Sequence, residues 1–260
     1  MTRANLVYAE IPGYRPLRLD LYVPDGEGPW PLVVWVHGGA WRTGDRKTLP
    51  ETYATLGFFE RIQRRGYAVA SVDYRLSAEA TYPAQLDDVR AAIGWLRASA
   101  AEFGLDTGRV ATWGESAGGH LAAMAALVEG GPDVHAVVDW YGVSDLSTMG
   151  LEGDDDPGVQ LLGGRSPESA SPTEYAHADA PPFLCVHGTA DKVVPYSQSE
   201  HLAAVLHAYG VRCDLYPVPG ADHIFQGAPD VAALVDASLD FLDDVLKPGQ
   251  GAAVGSSGQA

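Results

Sequence analysis

One serine of the chain lies in the pattern G-x-S-x-G, as the sequence GESAG at residues 114–118. Residues 109–113 before it are typical of a short buried strand, and an Ala-rich stretch after it, up to Leu127, is typical of a helix. Such a context predicts a sharp strand–turn–helix elbow that exposes the hydroxyl of Ser116 as a nucleophile. The alternative interpretation is a serine that caps a helix after a glycine turn.

A serine hydroxyl is a weak nucleophile at neutral pH, so it needs a base, and the base needs an orienting acid. His223 lies just after the last predicted strand and before the last predicted helix, so we predict it as the base. His187 and His37 each end a predicted strand before a glycine, which favours a structural role near the site. The remaining histidines are predicted to pack or to lie in loops and at the surface: His120, His135, His177, His201 and His207.

Two aspartates could serve as the acid, because each follows a predicted strand between Ser116 and His223. Asp191 lies in HGTAD at residues 187–191, and Asp145 lies in YGVSD at residues 141–145, with Asp139 nearby. We favour Asp191, since its glycine-containing turn can aim the carboxylate inward. Two further aspartates are predicted to be structural: Asp73 and Asp222.

A glycine-rich loop, HGGAW at residues 37–41, follows a continuous apolar stretch. Backbone N–H groups of such a loop can stabilise an oxyanion, so Gly38, Gly39 and Ala40 are predicted as part of an oxyanion hole. Ala117, directly after the predicted nucleophile, would supply another N–H group. Without the serine motif, the loop would be interpreted as an ordinary glycine turn.

The elements that must position these residues alternate between strands and helices. Strands are predicted at 5–11, 17–23, 31–36, 67–72, 109–113, 135–140, 182–187 and 211–218, and helices at 51–65, 83–103, 117–127, 196–209 and 229–246. The alternating sequence of residues 17–23 indicates a half-exposed antiparallel edge strand. The pattern predicts an α/β fold with a mostly parallel eight-stranded twisted sheet and helices on both faces.

Residues 1–246 are predicted to form a single domain. Within it, residues 144–182 are rich in Gly, Pro, Ser and Asp, and we predict them to form a small lid-like insertion. The acidic residues 154–156 are interpreted as solvated loop, with metal binding as the alternative. The Gly/Ser/Ala-rich residues 247–260 are predicted to be a disordered tail.

The composition limits the partners of the chain. The 260 residues carry a formal net charge of −17, which disfavours nucleic acid and anionic membranes. The amino terminus shows no apolar leader, and Cys185 and Cys213 are predicted to be buried free thiols, so we expect a cytoplasmic protein. Its oligomeric state is left open, a homodimer included.

Four segments together, HGGAW, GESAGG, HGTAD and GADHIF, resemble serine carboxylesterases of the α/β-hydrolase superfamily. The chain is most similar to hormone-sensitive-lipase-like esterases and to the bifunctional feruloyl/acetyl-xylan-esterase type, over residues 17–246. The resemblance implies a triad of Ser116, Asp191 and His223, and it implies no metal or organic cofactor. Many hormone-sensitive-lipase-like enzymes carry an N-terminal helical cap, which we expect to be absent or minimal here because predicted strands begin near residue 5.

We therefore expect hydrolysis of small-molecule esters with short acyl groups, through an acyl-enzyme intermediate. Four aromatic residues at strand or motif ends are predicted to line the pocket, with core packing as the alternative: Trp41, Trp140, Tyr141 and Phe225. The alternative function is an amide hydrolase of the kynurenine-formamidase type. A catalytically inactive member of the superfamily used for binding is a third hypothesis.

Overall fold

A computed structural model describes residues 1–247 of the chain. Its eight strands are Thr2–Ala9 (β1), Leu17–Tyr22 (β2), Trp30–Val36 (β3), Ala68–Val72 (β4), Leu105–Glu115 (β5), Ala136–Trp140 (β6), Phe183–Gly188 (β7) and Cys213–Val218 (β8). They form one sheet in the order β1-β2-β4-β3-β5-β6-β7-β8. Strand β2 is antiparallel to both neighbours and the other pairs are parallel, so the predicted mostly parallel sheet is confirmed.

The helices are Glu51–Ala54 (α1), Phe58–Arg64 (α2), Ala84–Ala98 (α3), Ala100–Phe103 (α4), Ala117–Leu127 (α5), Pro157–Leu162 (α6), Ser197–Ala208 (α7) and Val231–Leu246 (α8). Two hydrophobic clusters lie on opposite faces of the sheet. One holds the apolar side chains of α3, α5 and α7 and the other those of α1, α2 and α8. Helices therefore cover both faces, which together with the sheet order gives the α/β-hydrolase fold.

The predicted antiparallel pairing of residues 17–23 is confirmed, but their prediction as a half-exposed edge strand is wrong. Strand β1 takes the edge position, and β2 lies between β1 and β4 with Leu19 and Leu21 fully buried. Asp20, which produced the alternating pattern, is also buried, and its Oδ1 accepts a hydrogen bond from Nε of Arg46 at 3.0 Å. In the sequence, a residue of a buried ion pair thus produced the same alternation as a residue that faces solvent.

The predicted helix over 51–65 is two short helices, α1 and α2. Gly57 separates them with φ of +62°, a left-handed conformation that glycine adopts without strain. The helix predicted over 83–103 is likewise divided into α3 and α4, and β5 begins four residues earlier than predicted.

Residues 144–182 contain α6 and three single 3₁₀ turns, at Leu146–Thr148, Pro167–Ala170 and Pro172–Tyr175. The acidic residues 154–156 belong to this segment, and the carboxylate of Asp156 caps α6 by accepting from the N–H groups of Gly158 and Val159. Of the predicted tail, all but Lys247 lies outside the described residues.

Candidate active site

The serine elbow forms as its sequence predicts. Strand β5 ends at Glu115, Ser116 adopts φ of 54° and ψ of −120°, and α5 begins at the next residue. A Cβ at Gly114 would lie 2.1 Å from the carbonyl oxygen of Gly118, and a Cβ at Gly118 would lie 2.0 Å from that of Val36. Both positions therefore require glycine, because the helix crosses the strand at backbone contact.

Ser116, His223 and Asp191 meet at the carboxyl end of the sheet, after β5, β8 and β7 respectively. The Oγ atom of Ser116 lies 3.0 Å from Nε2 of His223, and Nδ1 of His223 lies 2.7 Å from Oδ2 of Asp191. The three side chains thus form a continuous hydrogen-bonded chain, although 107 positions separate the serine from the histidine.

The carboxylate of Asp191 is fully buried and uses both oxygens. Oδ1 accepts hydrogen bonds from the backbone N–H groups of Val193 and Val194 at 2.8 and 2.9 Å. Burial raises the pKa of Asp191, but the hydrogen bonds from His187 and His223, the charge of His223 and the hydrogen bond from the Val194 N–H together bring the pKa below its usual range. The carboxylate is therefore ionised at neutral pH beside His223.

The competing acids have other partners. Asp145 caps the turn at Leu146–Thr148, where its Oδ1 accepts from Ser147 N–H at 2.9 Å. Oδ1 of Asp139 accepts from the N–H group of Gly142 at 2.9 Å, and burial raises the pKa of Asp139 to about 6.

Two other histidines near the site make structural hydrogen bonds to loop backbone. Nδ1 of His37 contacts the carbonyl oxygen of Gly38 at 2.7 Å, and its ring stacks on Tyr74. Burial lowers the pKa of His37, so its ring is neutral at pH 7. His187 lies between Ser199 Oγ and the carbonyl oxygen of Val194, at 2.7 and 2.9 Å.

The glycine-rich loop after β3 approaches Ser116 in a strained conformation. Ala40 and Trp41 have φ of 53° and 57°, values that L-residues adopt rarely. The N–H group of Gly38 donates to Oε1 of Glu115 at 2.7 Å, so it already has an acceptor within the protein. The N–H groups of Gly39 and Ala40 bond to no other atom of residues 1–247, and Ala117 begins α5, where an N–H group has no intrahelical acceptor.

Glu115 itself is a residue that the sequence analysis missed. Its carboxyl is buried beside Ser116, and burial raises its pKa to about 7, while the Gly38 hydrogen bond opposes the increase. A signal was available, because a charged residue at the end of an otherwise apolar strand has to find a partner inside the protein.

The four aromatic residues predicted to contact substrate separate into two groups. Trp41 lines a cavity beside Ser116, and its indole N–H donates to Nδ1 of His120 at 3.1 Å. Trp140, Tyr141 and Phe225 are buried in the cluster under α8, with ring centroids 4.7 to 5.0 Å apart. For these three the prediction of a pocket lining is corrected to core packing, since they pack on one another.

Two cavities adjoin Ser116. The first, about 240 Å³, has mainly apolar walls, formed by Trp41, Val143, Leu146, Met149, Leu151, Pro157 and Val194 with Asp156 beside them. The second, about 580 Å³, lies on the side of His223 and is lined by the glycine-rich loop, Arg42, Thr48, Leu49 and Glu115. Ser116, Ala40 and Val193 border both cavities.

The described part of the chain holds neither a metal-binding cluster nor a membrane-spanning helix. Residues 1–247 contain no group of three or more His, Cys, Asp or Glu side chains that could hold a metal ion. None of the helices within them combines the length and apolarity needed to cross a bilayer. Cys185 and Cys213 are free and buried, as predicted, with their Sγ atoms 3.8 Å apart.

Comparison with known proteins points to one family. The BD-FAE family model matches residues 19–206. Esterase LipQ of Mycobacterium tuberculosis is 32% identical over 94% of this chain, and the chain spans 63% of the length of LipQ.

Solved structures agree with this assignment. A truncated carbohydrate esterase from gut microbiota is 28% identical and superposes with a TM-score of 0.84 over 95% of this chain and 96% of its own. Butyrate-bound esterase 2 of Thermogutta terrifontis is 28% identical, with a TM-score of 0.77 over 94% and 95% of the two chains.

Proposed function

The chain belongs to the BD-FAE family, and from this premise we propose that it is a serine carboxylesterase that acts through an acyl-enzyme intermediate. Ser116 is the nucleophile, His223 the general base and Asp191 the orienting acid. The observation that carries the proposal is the unbroken series of contacts from Ser116 Oγ through His223 to Asp191, at 3.0 and 2.7 Å.

In the acylation step, Oγ of Ser116 attacks the ester carbonyl carbon while Nε2 of His223 takes the hydroxyl proton. The ionised Asp191 holds the imidazole in orientation and stabilises the imidazolium that forms. The tetrahedral intermediate then collapses, the bond from carbon to the alcohol oxygen breaks, and His223 gives its proton to the departing alcohol. A water molecule repeats the sequence and releases the acid.

The oxyanion of the tetrahedral intermediate accepts hydrogen bonds from the N–H groups of Gly39, Ala40 and Ala117. Gly38 was also predicted for this role, but its N–H group donates to Glu115. Gly38 therefore helps to set the conformation of the loop and does not bind the oxyanion. Preorganised donors of this kind typically contribute about 10²–10³-fold to the rate each.

The smaller cavity takes the acyl group and the larger one the alcohol. The smaller cavity has a volume of about 240 Å³ and mainly apolar walls, which suit a short acyl chain. The segment 144–182 supplies much of that wall and acts as the lid. Butyrate bound to the similar Thermogutta enzyme is consistent with this preference.

Replacement of the nucleophile tests the mechanism. We expect Ser116→Ala to lower kcat for p-nitrophenyl acetate by about 10⁴-fold or more, because the covalent step is lost. Covalent labelling by a fluorophosphonate should disappear at the same time. Ser197→Ala, which removes an exposed hydroxyl at the start of α7, is the matched control and should retain both properties.

A series of p-nitrophenyl esters tests the acyl preference. Acetate to butyrate should be hydrolysed with higher kcat/KM than decanoate. Full activity of Ser116→Ala would refute the mechanism, whereas a preference for decanoate would refute only the assignment of the acyl cavity. Turnover of N-formylkynurenine in preference to every ester would favour the amide hydrolase instead.

A further inference from the structure

Glu115 carries a buried carboxyl group for which the proposed catalytic steps have no use. It directly precedes Ser116, and only 6% of the residue is exposed. Its Oε1 atom accepts the N–H group of Gly38 at 2.7 Å, and the side chain also borders the alcohol cavity. The carboxyl therefore links the end of β5 to the glycine-rich loop after β3.

The neighbours of this carboxyl offer it little charge compensation. The phenols of Tyr53, Tyr74 and Tyr141 lie around it, and Tyr141 is also hydrogen-bonded to it. Burial raises the pKa of each phenol well above its usual value, so all three are neutral. His223 is the titratable group that faces it from the loop after β8. Burial of a carboxyl among neutral groups is unfavourable, so packing alone does not account for its presence.

The contact with Gly38 is tight. A Cβ on Gly38 would come within 2.3 Å of Oε1 of Glu115, so the carboxyl lies directly against the loop backbone. Two residues further along, Ala40 and Trp41 adopt strained positive φ angles. A strained backbone persists only when its surroundings hold it in place.

Other contacts hold the far end of the loop. The backbone N–H and the hydroxyl of Ser77 both donate to the carbonyl oxygen of Trp41, at 2.9 and 3.1 Å. At the near end, Glu115 holds the N–H group of Gly38. Between these two anchors lie the N–H groups of Gly39 and Ala40, which have no acceptor in the described part of the chain.

We propose that Glu115 is a positioning residue, which turns the Gly38 peptide toward β5 and thereby directs the N–H groups of Gly39 and Ala40 at the substrate oxyanion. This inference depends on the proposed function, because the oxyanion hole belongs to that mechanism. Loss of the Gly38 hydrogen bond should therefore weaken binding of the transition state, while binding of the substrate should change little.

Three variants test the role of the hydrogen bond. Glu115→Leu removes the acceptor, Glu115→Asp withdraws the carboxylate from Gly38 but keeps a buried acid, and Glu115→Gln keeps an acceptor without charge. We expect kcat for p-nitrophenyl butyrate to fall about 10²-fold in the Leu and Asp variants, with KM within about 3-fold of wild type. The Gln variant should recover most of the lost kcat.

Affinity for a trifluoromethyl ketone provides a second measurement, because this inhibitor forms a tetrahedral oxyanion adduct with an active serine. It should weaken in parallel with kcat, whereas affinity for butyrate should not. Asp139→Asn is the matched control, since it neutralises another buried carboxyl at the end of β6 and leaves the glycine-rich loop untouched.

The outcomes separate this inference from the proposed function. Glu115→Asp with wild-type kcat, or equal losses in the Gln and Leu variants, would overturn the positioning role. If the Leu variant does not fold, the Asp and Gln pair still decides the question. An active Ser116→Ala variant would overturn the mechanism itself, whatever the Glu115 variants show.

Discussion

Asp191 divides its two carboxylate oxygens between the hydrogen-bonded chain to His223 and Ser116 and its own loop. Oδ2 faces His223, while Oδ1 is held by two backbone N–H groups of residues 193 and 194. The loop thus fixes the rotamer of the acid, and the same bonds place Val193 between the two cavities. At the residue scale, one side chain therefore orients the imidazole and shapes the substrate site.

The buried carboxyl of Glu115 should leave a signature in the pH dependence of stability. Burial raises its pKa from 4.5 to about 7, so the folded state retains a proton that the unfolded state releases between those values. Its contribution to the free energy of unfolding therefore falls as pH rises from about 4.5 to 7. Glu115→Gln should gain stability relative to wild type over that range, by up to about 3 kcal/mol.

Chemical denaturation at several pH values measures this difference. Asp139→Asn provides the comparison, because the pKa of Asp139 rises only to about 6 and its relative gain should end near that pH. A stability difference between Glu115→Gln and wild type that does not change with pH would show that Glu115 is not protonated in this window.

Sequence could identify Ser116, Asp191 and His223 as candidates because each lies next to a predicted strand end in a distinctive local pattern. It could not identify the partner of Gly38, since Glu115 is 77 positions away and the contact arises only when β3 and β5 pair. For the same reason it could not tell that Trp140 and Phe225 pack in the core while Trp41 faces the cavity. Local patterns locate a strand end, but the direction of a side chain depends on elements far along the chain.

At the scale of elements, the continuous apolar strands of the sheet could be predicted. The burial of β2 and its position inside the sheet could not. Alternation of apolar and polar residues normally indicates a strand with one solvent-exposed face. Here, however, Asp20 forms an ion pair with Arg46 inside the protein. The break between α1 and α2 was also hidden, because Gly57 occurs within a pattern that is otherwise helical. Both errors come from contacts or backbone conformations that hydrophobic periodicity does not report.

The segment that covers the acyl cavity should determine which chain lengths are accepted. Leu151→Ala and Met149→Ala each remove side-chain volume from the wall of this cavity. We expect kcat/KM for octanoate relative to butyrate to rise about 10-fold, which corresponds to one additional methylene making apolar contact, at about 1–3 kcal/mol.

The p-nitrophenyl ester series measures this change, with Leu6→Ala as the control because Leu6 lies in β1 at the far edge of the sheet. An unchanged octanoate-to-butyrate ratio in both cavity variants would show that the acyl chain binds elsewhere.

At the scale of the whole molecule, acidic residues outnumber basic ones by 34 to 17. Such a charge produces a negative potential that attracts cations and repels anions, and salt screens it. Arg42 at the alcohol cavity contributes a local positive charge, and its Nη1 donates to the backbone oxygen of Asp155 at 2.9 Å. The long-range field and the charge of Arg42 therefore have opposite signs.

A matched pair of aryl acetates distinguishes these contributions, one with a trimethylammonium group and one with a carboxylate on the ring. If the net charge dominates, NaCl should lower kcat/KM several-fold for the cationic ester and raise it for the anionic one. Phenyl acetate, which is neutral, should show little change. The reverse order for the two charged esters would show that Arg42 dominates.

Val193 stands with 60% of its surface exposed where the acyl and alcohol cavities meet. Among residues 1–247, Ser116 and Ala40 are the other two that border both cavities. Substitutions that change specificity for one half of the ester can therefore leave the cavity for the other half, beyond Val193, unchanged. Related enzymes with this arrangement could change their acyl and alcohol specificities independently, while the positions of the reacting atoms stay the same.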